Sequence, residues 1–103
     1  MNAQFHMPTE EIESFCHRWG VTELALFGSV MRDDFRPDSD VDVLVTFNPE
    51  TRYTLFDLVH IREELRGIFG REVDLVERKA IERSRNFLRR KAILDAAEIV
   101  YAA

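Results

Sequence analysis

Apolar residues recur along this chain with two different periods, and the switches between them lay out its elements. Ile12, Phe15, Cys16 and Trp19 fall at i, i+3, i+4 and i+7, which predicts a helix over Thr9–Trp19 with one buried stripe. Glu10, Glu11 and Glu13 suit its positive N-terminal end, and Gly20 supplies a stop. Val21–Phe27 reads as a strand ending in the apolar run Leu24–Phe27, and Gly28-Ser29 follows it directly. Ser29–Asp34 predicts a short helix, and Arg36-Pro37-Asp38-Ser39 is turn chemistry. A second strand, Asp42–Phe47, is apolar at Val43, Leu44 and Val45, as a buried central strand should be. Asn48-Pro49-Glu50 breaks it, and Thr54–Phe69 returns to helical spacing through Leu55, Leu58, Val59, Leu65 and Phe69, closed by Gly67 and Gly70. Glu72–Val76 predicts a third strand. Arg78–Ala97 reads as mostly helical with Ile81, Phe87, Leu88, Ile93 and Leu94 as apolar points, and Ile99-Val100-Tyr101 as a short last strand.

Composition narrows this to one domain spanning residues 1–103, with 46% hydrophobic and 32% charged residues. Neither a membrane-length apolar run nor a signal-peptide pattern at Met1–Pro8 is found, and a single Cys16 excludes an internal disulfide. Together these place the expected protein in the cytoplasm. Cys16 belongs to the apolar stripe and reads as core, while His6, His17 and His60 have no companions at ligand spacing. Charge is uneven: residues 1–77 hold 7 Lys/Arg against 16 Asp/Glu, and residues 78–103 hold 7 against 3. The basic end reads either as a solvated helix face or as a contact surface for an anionic partner.

The chemistry gathers in residues 24–45. Asp40 and Asp42 flank Val41, and in an extended backbone residues two apart share a face. Two adjacent carboxylates repel unless a cation lies between them, and oxygen-only ligands suit Mg²⁺ or Mn²⁺. Gly28 permits close backbone approach to a phosphate, Ser29 adds a hydroxyl, and Arg32 follows one helical turn later. Read without the others, Gly28-Ser29 is a simple turn and the acids are solvated. In the third strand Asp74 shares a face with Glu72 and Val76, while Val73 and Leu75 point the other way.

Gly28-Ser29, ten intervening residues and Asp40-Val41-Asp42 resemble the GS-x10-DxD signature of the DNA polymerase β-type nucleotidyltransferases. The resemblance spans residues 9–101 and is strongest to the minimal nucleotidyltransferase (MNT) antitoxins paired with HEPN ribonuclease toxins. It implies an α+β fold, a small mixed sheet with helices mainly on one face and the carboxylates on the open one. It further implies ATP as donor, with its phosphates on Gly28, Ser29 and Arg32, and two Mg²⁺ ions held by Asp40, Asp42 and Asp74. Asp74 matches the family's third carboxylate, with Glu72 as its competitor. Implied too is AMP transfer to a toxin hydroxyl, a tyrosine, in a hetero-oligomer with the toxin. Met31 and Asp33 depart from the small residue and glycine that many relatives carry there, and Asp33 adds negative charge near the site.

Two other readings follow from the same residues: an antitoxin acting by binding alone, and a transferase acting on a small molecule such as an aminoglycoside. No residues are left over for a second domain to hold an acceptor. The acidic balance of residues 1–77 argues against a direct grip on nucleic acid.

Overall fold

The two most apolar stretches of the chain become the two central strands of one sheet. The computed structural model describes residues 7–28 and 39–103. Along it run α1 (Thr9–Trp19), β1 (Val21–Phe27), β2 (Val41–Phe47), α2 (Leu55–Phe69), β3 (Val73–Glu77), α3 (Arg78–Glu82), α4 (Phe87–Ala96) and β4 (Glu98–Ala102). The sheet order is β3-β2-β1-β4. β1 lies antiparallel to β2 and β4, whereas β2 and β3 are parallel and are joined by the crossover helix α2. This is the α+β arrangement with a small mixed sheet that the resemblance implies.

Side chains leave the sheet on two faces, and each face has its own core. On one, Ile12, Phe15 and Cys16 of α1 and Ile61 and Leu65 of α2 meet Leu24, Leu26, Val41, Val43, Val45 and Val73. On the other, Ile81 of α3 and Ile93 of α4 meet Ala25, Phe27 and Leu44. The two long helices thus share one face, and the two short ones cover part of the opposite face. A register shift between Val21 and Glu23 lets Val21 and Leu24 enter the same core despite their odd spacing. Leu65 is fully buried, so Leu65→Ala would cost about 2–5 kcal/mol. Burial pushes the Cys16 thiol up to about 12, in keeping with a core residue.

Local chemistry sets the helix ends. Thr54 and Asp57 form a reciprocal capping box at the start of α2, and Gly70 closes it in the left-handed conformation. Several details differ from the sequence expectation. β3 begins at Val73 rather than Glu72 and extends to Glu77. The single helix expected over Arg78–Ala97 is two, because Ser84 and Asn86 turn their side chains to backbone N–H groups and Asn86 caps α4 through the Arg89 N–H at 3.1 Å. Leu55 and Val59, read as part of the buried stripe of α2, are exposed, and Ile61 takes their place in the core. Phe87 and Leu88 are likewise exposed rather than packed.

Candidate active site

Asp42 is the second residue of β2 and has a neighbour of chemical consequence on each side. Across antiparallel β1 it pairs with Phe27, the residue that delivers Gly28. Across parallel β3 it pairs with Asp74. Paired residues on adjacent strands project to the same face at a spacing of roughly 4.8 Å. Two residues further on, Leu44 and Val76 join the smaller core, so Asp42 and Asp74 project to that side. They lie on the face away from α1 and α2.

Gly28 shows how closely the turn and the carboxylate fit. Its φ is +76°, in the left-handed region, and a Cβ built there would collide with the Asp42 carboxylate, whose Cγ is 3.0 Å from the added atom. Only glycine satisfies both demands. Asp40 is exposed just ahead of β2 and lines an open cleft of about 500 Å³ with Arg62, Glu72, Val73, Asp74 and Leu75. Ser29 and Arg32, expected at the phosphates, lie outside the described residues, as do Met31, Asp33 and His6.

Among the described residues, no three His, Cys, Asp or Glu side chains converge into a preformed metal cage. The donor set nonetheless suits Mg²⁺, which binds through one or two carboxylates and takes its other ligands from water and substrate phosphates. Asp42 and Asp74 are paired across the strands, and Asp40 shares the cleft with Asp74. Glu72 precedes β3 and pairs with Arg66 at 2.8 Å and Arg62 at 3.8 Å, which ties it to α2. His17 stacks edge-on with Tyr101 at 6.2 Å, and His60 is exposed.

Arg62 is the cleft residue that sequence reading missed. Its Nε donates to the Val73 carbonyl at 3.0 Å. The Glu72 carbonyl accepts from the Val41 N–H at 2.9 Å, so Glu72 faces β2 and the Val73 carbonyl faces the free edge of the sheet. Arg62 therefore closes the open edge at the residue preceding Asp74. Only its place on the crossover helix leading into β3 hints at this role.

The chain matches the nucleotidyltransferase domain family over residues 10–100. It is 37% identical to the protein adenylyltransferase MntA of Thermococcus cleftensis, over an alignment covering 71% of this chain and 80% of that protein. A solved structure assigned as a minimal nucleotidyltransferase superposes with a TM-score of 0.66 at 33% identity, covering 87% of this chain and 86% of that one. The fold is shared also with a toxin–antitoxin structure holding AMP-PNP, at a TM-score of 0.69 and 15% identity over 94% of this chain and 75% of that one. A tri-AMPylated Shewanella oneidensis HEPN toxin in complex with its MNT antitoxin gives a TM-score of 0.61 at 14% identity, over 93% and 71% of the two chains. The match along nearly the whole chain, with an antiparallel β1–β2 pair that sets Gly28 against Asp42, makes this protein a minimal member of the nucleotidyltransferase domain family.

Proposed function

We propose that this chain transfers AMP from ATP to a hydroxyl of a cognate HEPN toxin, a tyrosine hydroxyl, and thereby neutralises it in the cytoplasm. The observation that carries the reading is Asp42 seated between the Gly28 turn on one strand and Asp74 on the next. A protein acceptor is supported by the similarity to a protein adenylyltransferase, and a HEPN partner by the fold shared with antitoxins in complex with such toxins.

Asp40, Asp42 and Asp74 are the residues that would hold two Mg²⁺ ions, or Mn²⁺ in their place. Bound there, the ions would lower the pKa of the acceptor hydroxyl and offset charge developing on the α-phosphate. The bare backbone at Gly28 admits the triphosphate, and Ser29 and Arg32 add a hydroxyl and a guanidinium to its phosphates. Asp74 accepts the proton of the acceptor hydroxyl. The acceptor oxygen forms a bond to the α-phosphorus as the bond from that phosphorus to the α–β bridging oxygen breaks, and pyrophosphate leaves. An AMP group adds negative charge and bulk where the toxin must receive RNA phosphates. The chain itself, acidic over residues 1–77, has no need to grip RNA and works within a hetero-oligomer with the toxin.

The test is the intact mass of the HEPN protein after incubation with this chain, Mg²⁺ and ATP. A gain of one or more AMP units, absent with Asp40→Ala/Asp42→Ala, is the expected result. Neutralisation without any mass gain, retained by that variant, would overturn the catalytic reading in favour of binding alone.

A further inference from the structure

Positive charge is concentrated where α3 ends and α4 begins. Residues 78–103 carry 7 Lys/Arg against 3 Asp/Glu, in a chain whose net charge is −5. Arg78 and Lys91 are engaged within the fold, by Glu23 at 2.8 Å and Asp95 at 3.0 Å. Arg83, Arg85 and Arg89 pair with no carboxylate among the described residues. Beside them Phe87 is 59% and Leu88 77% exposed. The Arg90 guanidinium lies 5.5 Å from the centre of the Phe87 ring. In the isolated chain both leave apolar surface in water that contact with a partner removes. Ile93 is the one buried residue of α4, so the first turn of that helix stands clear of the core.

From this we infer that the α3–α4 elbow is the docking surface for an acidic patch on the folded protein acceptor, an inference that rests on the protein-acceptor reading above. Exposed Phe and Leu flanked in the chain by arginines is the composition of a protein interface, in which Arg and aromatic residues are enriched as anchors. Charge complementarity selects an acidic partner surface and speeds its encounter. The location agrees: α3 and α4 pack on the sheet face to which Asp42 and Asp74 project, so a protein held there lies on the same face as the carboxylates. A nucleic acid fits less well, because a strand long enough to use these arginines would continue over the acidic body.

Binding of the cognate HEPN protein is measured calorimetrically without nucleotide, at low and high salt. The wild-type chain is compared with Arg83→Glu/Arg85→Glu/Arg89→Glu, with Phe87→Ser/Leu88→Ser and with the charge-preserving Arg83→Lys/Arg85→Lys/Arg89→Lys. The expected result is that charge reversal and apolar loss each weaken binding by about tenfold or more, that the lysine variant stays near wild type, and that salt weakens only the chains retaining the charge. In AMP transfer, KM for the HEPN protein rises while KM for ATP and kcat hold. Equal affinity of the charge-reversed and wild-type chains, or no binding by the wild type, would overturn the proposal. So would tight binding of a short single-stranded RNA that charge reversal abolishes, since it reassigns the elbow to nucleic acid. Binding that follows this pattern with no AMP transfer by the wild type supports the elbow and sinks the catalytic reading, whereas transfer with an unaltered KM in the variants does the reverse.

Discussion

Three glycines separate the geometry of the site from backbone strain alone. Gly28 and Gly70 hold nearly the same left-handed conformation, with φ of +76° and +68°. Their surroundings differ. A Cβ at Gly28 would drive into the Asp42 carboxylate, whereas one at Gly70 meets nothing within 4 Å. Both alanine variants carry the left-handed penalty of about 1–2 kcal/mol. At this chain length each kcal/mol lowers Tm by about 4–8 °C. Only Gly28→Ala must also push Asp42 aside, and a misplacement on the order of 1 Å at a reacting centre costs on the order of 100-fold in rate. Gly67 is the third point: it lies inside α2 with no neighbour within 4 Å, so Gly67→Ala should raise stability by about 0.5–1 kcal/mol. Thermal unfolding and single-turnover AMP transfer, assayed well below every variant's Tm, give both readouts. Gly28→Ala and Gly70→Ala should lose comparable stability, and Gly28→Ala alone should lose the rate. A Gly28→Ala enzyme as fast as Gly70→Ala would refute the claim that catalysis needs Asp42 seated against the turn.

Asp42→Asn and Asp74→Asn keep shape and remove charge; each should lower AMP transfer by about 100-fold or more, and Asp74→Asn should do so without lowering Tm, because two like charges paired across strands repel. Rates alongside melting curves check this, and a variant that melts early would mark the carboxylate as structural instead. Arg62→Met leaves the Val73 carbonyl without its donor and should cost about 1 kcal/mol, with faster hydrogen exchange at β3 amides and slower transfer; unchanged β3 exchange would deny Arg62 its role at the strand edge. Burial pushes Glu64 upward, but hydrogen bonds from Arg18 and from Trp19, the latter at 2.7 Å, outweigh it and hold the carboxyl below its ordinary 4.5. The stability it contributes is complete above the unfolded value and is lost as pH falls through the folded one. Fluorescence of Trp19, the only tryptophan, should therefore change below pH 4.5, and Glu64→Gln should abolish that step; an identical titration in the variant would dismiss the assignment.

What could be read from the sequence depended on how far apart in the chain the interacting groups lie. Gly28 and Asp42 stand close together because β1 and β2 are adjacent in sequence and in the sheet, and their unbroken apolar runs announce strands buried on both faces. The pairing of Asp42 with Asp74 is another matter, since it depends on a register set across the whole of α2. A lone Val-Asp-Leu-Val carries no trace of that register, so Asp74 became a candidate through family resemblance. The error in α2 has a related cause. Leu55, Phe56, Leu58, Val59, Ile61, Leu65, Ile68 and Phe69 surround much of its circumference, so spacing selects no unique stripe. Contact with the sheet chooses Ile61 and Leu65 and leaves Leu55, Phe56 and Val59 outside. Arg62 was hidden for the same reason, since an arginine on a crossover helix becomes meaningful only once that helix has laid it against the edge of β3. Local pattern therefore specifies the half of the site built by the β1–β2 pair, and long-range packing through α2 positions the other half. It follows that substitutions in the core under α2 should reach the chemistry through the placement of Asp74, even where no altered side chain touches the cleft.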